Sequence, residues 1–303
     1  MPNSTEKLHD INPFQGMHIN DDGFLNNLEG RYPCPKCSKS RKYFCYTCYI
    51  PVLELDGKLP FVKLPLKIDI IKHRNEIDGK STAAHAAVLA SEDVNVYTYP
   101  NIPDYDQDTV LIYPSFEALT INQLFDEHSK RGILNILPKG HNKTTLMTAK
   151  SRDDNVVDYI KINHNANSIL PVKKAVFIDS TWNQSKGIYK DLRINSLRCV
   201  VLQQRISQFW RHHKGSPRWY LSTIEAIHQF LIEIHLNMWG LNAMYSGLNN
   251  CFSDKKIDHL VLNNSHSYNG QYDNLLFFFK HMYKLIHTHY DHETLYAYKR
   301  RLL

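Results

Sequence analysis

Short apolar runs that stop at polar residues and give way to helix-forming stretches recur along this sequence, and they constrain its fold more than any other feature. The plainest is Ala175-Val176-Phe177-Ile178, which follows Lys173 and Lys174 and ends at Asp179-Ser180-Thr181-Trp182. A run of this length, rich in β-branched and aromatic residues, reads as a buried strand. Residues 66–72, 95–99, 109–113 and 197–202 repeat the pattern, and helical stretches follow at 80–89, 116–128 and 184–193. Such alternation predicts an α/β fold, a mostly parallel sheet flanked by helices. Ligands of open α/β sheets bind beyond the carboxyl ends of the strands, so Asp179 to Trp182 is the first candidate site. Asp and Ser after any strand also make turns or helix caps. Trp182 tips the balance toward binding, because it sets a large contact area beside a carboxylate and two hydroxyls.

The run at 66–72 leads into His73-Arg74-Asn75-Glu76, the turn pair Asp78-Gly79 and the alanine-rich Lys80-Ser81-Thr82-Ala83-Ala84, a good helix start. Ser81 and Thr82 suit either helix capping or a grip on an anionic ligand at the helix N-terminus. His73 and Glu76 suit either an acid and base pair or a solvated loop.

Cys34-Pro35-Lys36-Cys37 and Cys45-Tyr46-Thr47-Cys48 are two CxxC knuckles separated by seven residues. A CxxC turn lets two sulfurs converge, and two such turns complete a tetrahedron. The N-terminal stretch lacks the apolar segment of a secretory signal, which implies a reducing compartment and favours metal over disulfides. The expectation is a structural Zn2+ held by Cys34, Cys37, Cys45 and Cys48, with no open position for catalysis. Residues 1–30 show no periodicity and read as a polar leader, 31–52 as a small zinc-ribbon-like module, and 53–303 as one α/β domain with a C-terminal helical extension.

No run approaches the roughly 18 apolar residues that span a bilayer, so no membrane partner is expected. The 36 Lys and Arg against 30 Asp and Glu give a net charge of +6, compatible with a polyanion. Arg205, Phe209, Trp210, Arg211, Arg218, Trp219 and Tyr220 interleave cations with rings, as nucleic-acid surfaces do. Residues 129–167 are basic and polar, an insertion near the site or a solvated surface. Ser222 and Glu225 form a capping box that opens a long helix, and residues 272–289 read as a last amphipathic helix.

Taken in order, the double CxxC, His73-x-x-Glu76 with Ser81-Thr82-Ala83, Tyr113-Pro114-Ser115, Asp179-x-Thr181-Trp182 and Leu221-Ser222-Thr223-x-Glu225-Ala226 resemble the DTW-domain family. The closest likeness is to its animal tRNA-uridine aminocarboxypropyltransferases. Members often carry His-Pro-x-Glu where this chain has His73-Arg74-Asn75-Glu76. The resemblance implies a SPOUT-like fold with a C-terminal trefoil knot, S-adenosylmethionine as co-substrate, and transfer of its 3-amino-3-carboxypropyl group to N3 of a uridine in the tRNA D-loop. It implies tRNA and not DNA as partner, and a nuclear location, alone or with the cytoplasm. Within it, Asp179 is the base or an electrostatic anchor, and Thr181 and Trp182 shape the catalytic pocket. Tyr113, Pro114, Ser115, Ser180, Leu221, Ser222 and Thr223 are expected around the cofactor, and His73, Arg74, Lys186, Arg211 and Arg218 on RNA. A SPOUT-like RNA methyltransferase and a non-catalytic zinc-ribbon RNA-binding protein are the alternatives.

Overall fold

The computed structural model describes residues 12–136, 169–210, 219–248, 261–262 and 264–289. Two small antiparallel hairpins come first, β1 (Tyr32–Pro33) with β2 (Ser40–Arg41) and β3 (Phe44–Cys45) with β4 (Ile50–Pro51). Then follow β5 (Lys67–Lys72), α1 (Ala83–Leu89), β6 (Val94–Thr98), β7 (Thr109–Ile112), β8 (Leu119–Thr120), α2 (Ile121–Ile136), β9 (Lys174–Asp179), α3 (Trp182–Tyr189), α4 (Leu192–Asn195), β10 (Arg198–Val201), α5 (Thr223–Trp239) and α6 (Phe277–His289). The main sheet has six strands in the order β6-β5-β9-β7-β10-β8, every pair parallel.

Both faces of the sheet are buried, as parallel sheets require. Ile68 and Ile70 of β5, Phe177 of β9 and Val200 of β10 enter a large core with α1, α2, α5 and α6. Ile71, Val176, Leu111 and Cys199 point the other way, into a smaller core closed by Ile188 of α3 and Ile194 of α4. Strand β9 lies between β5 and β7, and its register sets Asp179 beside Lys72 at the carboxyl edge of the sheet.

Three elements differ from the sequence reading. The helix expected at 116–128 starts at Ile121, after the two-residue strand β8, and Phe116 is exposed. The stretch expected as one helix at 184–193 divides into α3 and α4, because the Asp191 side chain accepts from the Arg193 N–H at 3.0 Å and caps a new start. Within the stretch read as a polar leader, Phe14, Met17 and Leu25 are core residues, and buried Asp22 meets Nδ1 of His281 at 2.9 Å and Nζ of Lys284 at 2.7 Å. That segment is polar in composition, but on α6 Phe14 packs against Phe279 and Tyr283, Phe24 against Phe277, and Asp22 pairs with His281 and Lys284. Among the described residues no helix is long and apolar enough to cross a membrane.

Helix α5 is buried nearly all round, so its polar residues must find partners inside. Glu225 accepts from the Ser207 hydroxyl and the Gln208 N–H, both at 2.7 Å, and Glu233 accepts from the Gln203 N–H at 2.9 Å. The segment after β10 is thereby tied along α5.

Candidate active site

A cavity of about 1030 Å³ opens at the carboxyl edge of the sheet. Asp179 is its floor and is 5% exposed. Each carboxylate oxygen has a hydroxyl donor: Ser81 Oγ reaches Oδ2 at 2.7 Å, and Thr223 Oγ1 reaches Oδ1 at 2.6 Å. Burial raises the Asp179 carboxyl above the ordinary carboxylate range; the two hydroxyls and Lys72 oppose that rise, and Asp78 adds to it. A carboxylate dry enough to be a stronger base, yet held by two charge-assisted hydrogen bonds, suits proton abstraction.

The hydroxyls beside it are committed. Ser81 Oγ also accepts from the Ala83 N–H at 3.0 Å, and Thr82 Oγ1 accepts from the Ile224 N–H at 3.1 Å. These bonds brace the loop: Ser81 turns it onto the start of α1, and the N-cap residue Thr82 spends its hydroxyl on α5 and not on its own helix. The Thr181 side chain caps α3 in a capping box with Gln184. His73 continues the β-ladder, its N–H donating to the Asp179 carbonyl at 3.0 Å, while its Nδ1 accepts from the Asn75 N–H at 3.2 Å.

An aromatic group lines the mouth. Trp182 packs on Tyr220 with centroids 4.5 Å apart and on Tyr113 at 6.3 Å, and Tyr113 stacks on Tyr189 at 4.4 Å. Trp182, Tyr220 and Trp219 remain 37%, 39% and 51% exposed, an apolar surface waiting for a partner. Of the residues expected around a cofactor, Tyr113, Pro114, Ser180, Leu221, Ser222 and Thr223 line the cavity; Ser115 turns back behind its wall, with its N–H on the Tyr113 carbonyl at 2.9 Å. Arg74 and Lys186 are exposed outside the cavity, and Arg211 and Arg218 lie outside the described residues. Arg193, the last residue of the stretch expected as one helix, spends its guanidinium on Asp191 at 2.7 Å and on the Ile102 carbonyl at 3.0 Å.

Glu76, read with His73 as an acid and base pair or a solvated loop, lines the cavity without His73, while other residues of the site escaped the sequence reading: Ser81 as a partner of Asp179, Lys80 on the cavity wall, and Trp219 and Tyr220 at its mouth. The rings stood in plain view in the basic and aromatic stretch. Nothing in the sequence pairs Ser81 with a carboxylate 98 positions away.

Beside the cavity, the two hairpins bring Cys34, Cys37, Cys45 and Cys48 together with all four sulfurs within 4.8 Å of one another. The knuckles are near copies: Ser38 and Tyr49 follow them at φ 58° and 57°, each returning its N–H to the first cysteine's carbonyl at 2.9 and 2.7 Å. Cys37 and Cys45 sulfurs are 3.7 Å apart; tetrahedral zinc at about 2.3 Å from each sulfur would set them about 3.8 Å apart. Against burial, the N–H groups of Thr47 and Cys48 and the Arg41 guanidinium bring the Cys45 thiol down to about 6, whereas desolvation and the other sulfurs push Cys48 up to about 12. Four thiolates side by side need a cation among them.

This lobe touches the loop between β5 and α1. Arg41 lies over the Tyr46 ring at 3.8 Å and donates to Thr47 Oγ1 at 3.3 Å; Thr47 donates to Asp78 at 3.2 Å, and Asp78 pairs with Lys72, the strand neighbour of Asp179. Gly79 sits against the same Tyr46 ring, which a Cβ would meet at 3.5 Å.

A parallel sheet with a roomy cavity at its carboxyl edge, floored by a buried carboxylate, is the arrangement in which α/β proteins bind their ligands. Comparison with known proteins narrows that class. A model of the DTW domain matches residues 42–287, and the chain belongs to the DTW-domain family. It is similar to the tRNA-uridine aminocarboxypropyltransferase 1 of Xenopus tropicalis, 39% identical over 300 residues that cover 93% of this chain and 91% of the relative. The human protein of the same name is 39% identical over 288 residues, covering 93% of this chain and 86% of the relative. No solved structure matches.

Proposed function

We propose that this chain is a tRNA-uridine aminocarboxypropyltransferase, moving the 3-amino-3-carboxypropyl group of S-adenosylmethionine to N3 of a uridine in the tRNA D-loop. Family membership and likeness along nearly the whole chain support the transferase and its tRNA substrate. The observation that carries the chemistry is the desolvated Asp179, held by Ser81 and Thr223 at the floor of the cavity.

The reaction needs a base and alignment. Uracil N3 attacks the methylene carbon beside the sulfonium as the bond from that carbon to sulfur breaks. The bonding pair stays on sulfur, leaving neutral methylthioadenosine, and the N3 proton passes to the Asp179 carboxylate. Leu221, Ser222, Tyr113, Pro114 and Ser180 form the walls for adenosine. Thr181 shapes the site as the cap of α3, and Trp182 with Tyr220 offers rings on which a uracil swung out of the D-loop can stack. His73, Arg74, Lys186, Arg211 and Arg218 are assigned to RNA, His73 through the loop it shapes. Arg74 and Lys186 are exposed.

Zn2+ on Cys34, Cys37, Cys45 and Cys48 belongs to the same reading, supported by the sulfur spacing, and its chemistry is structural. The trefoil knot and a nuclear location rest on the resemblance alone. The deciding experiment identifies the co-product of single-turnover transfer to tRNA. Methylthioadenosine is the expected result; S-adenosylhomocysteine would make the protein a methyltransferase, and neither would make it a binder.

A further inference from the structure

Among the described residues lining the cavity, the charged ones are Asp179 on the floor and Glu76 and Lys80 on the loop between β5 and α1. Glu76 is half-buried, and burial together with the charge of Asp179 holds its carboxyl above the ordinary range. Two carboxylates thus share one cavity with one ammonium, while Lys72 behind them is engaged by Asp78. That arrangement repels an anion and is poorly matched by a neutral molecule. It complements a ligand with two positive charges and one negative charge.

Resting on the proposed transfer reaction, the charges of S-adenosylmethionine are a sulfonium, an α-ammonium and an α-carboxylate. We propose that Glu76 and Lys80 form the subsite for its amino-acid end, Glu76 taking the ammonium and Lys80 the carboxylate. Glu76 and Lys80 are therefore positioning residues for the amino-acid end of the co-substrate, distinct in role from Asp179.

Two neutral thioethers isolate the interaction, because S-adenosylhomocysteine carries the amino-acid end and methylthioadenosine does not. Calorimetry on the full chain would compare both ligands with the wild type, Glu76→Gln and Lys80→Met. Glu76→Gln is expected to weaken S-adenosylhomocysteine about tenfold, the order expected for losing a hydrogen bond between charged groups in a half-buried site, and to leave methylthioadenosine within about twofold. Lys80→Met should act in the same direction by a smaller factor, since Lys80 is exposed. Retained methylthioadenosine binding shows in the same titration that each variant is folded. Equal losses for both ligands, or no loss for either, would overturn the subsite. Its failure is distinguishable from failure of the transferase reading, which shows only in the identity of the co-product.

Discussion

Replacing Thr223 by valine keeps the shape of the side chain and removes one hydrogen-bond donor, the one 2.6 Å from Asp179 Oδ1. A hydrogen bond to a charged group contributes about 1.5–3 kcal/mol, and one pKa unit corresponds to about 1.36 kcal/mol. Because Asp179 is 5% exposed, little solvent stands ready to replace the lost donor. Its carboxyl, already above the ordinary value of 3.8, should rise further. If ionised Asp179 takes the N3 proton, the acid limb of the rate must move up with it. The assay is single-turnover transfer to tRNA at saturating S-adenosylmethionine across the pH range in which the protein stays folded, with Thr223→Ser as the rescue. Stability should shift in a matching way: a raised carboxyl favours the fold below the unfolded value and loses that contribution as pH rises through the folded one. Thr223→Val should thus melt further below the wild type at pH 8 than at pH 5. A rate lowered by one constant factor at every pH, with the acid limb unmoved, would refute the reasoning and leave Thr223 a wall of the cavity.

Asp179→Asn should lower the single-turnover rate by ~10²-fold or more, yet melt no lower than the wild type at pH 7, since a carboxyl raised by burial costs stability once ionised; a near-normal rate at saturating co-substrate would remove it as the base. Purified protein should contain about one zinc per chain, and its removal by chelation should weaken co-substrate binding while leaving most helix signal; Thr47→Val, which breaks the link from the second knuckle to Asp78, should slow transfer several-fold at unchanged zinc content. An active, reduced, zinc-free preparation would sink the metal assignment. Tyr220→Ala, by removing one ring of the pair with Trp182, should weaken tRNA binding by ~1–3 kcal/mol and leave S-adenosylhomocysteine affinity near the wild-type value; the opposite pattern would assign the rings to adenosine.

What the sequence could show is set by how local each feature is. The strands β5, β7, β9 and β10 were legible because each is an apolar run cut off by polar residues. Strand β8, two residues long, has no period to read. A local signal for the start of α2 exists in the sequence: the Thr120 N–H donates to Gln123 Oε1 at 2.8 Å and Thr120 Oγ1 accepts from the Gln123 N–H at 3.3 Å, a capping box. The paired knuckles announce the four-cysteine cluster, but its seat against residues 78 and 79 comes from the tertiary fold, and no spacing rule carries it.

The clearest case of information hidden by one dimension is Ser222-Thr223-Ile224-Glu225. Along the chain these residues spell a helix cap, and the cap is real, with the Ser222 N–H on Glu225 Oε2 at 2.9 Å. In the fold, three of the same four residues each secure a different wall of the cavity. Thr223 holds the carboxylate at the end of β9, the Ile224 N–H holds Thr82 of the loop after β5, and Glu225 holds Ser207 and Gln208 of the segment after β10. A helix start needs only one or two of these identities. That Thr223 and Glu225 are spent on the cavity as well as at the helix start, with the Ile224 backbone N–H between them, means the N-terminus of α5 fixes the distance between Asp179 and both walls, so substituting Thr223 should change the cavity before it changes helix stability.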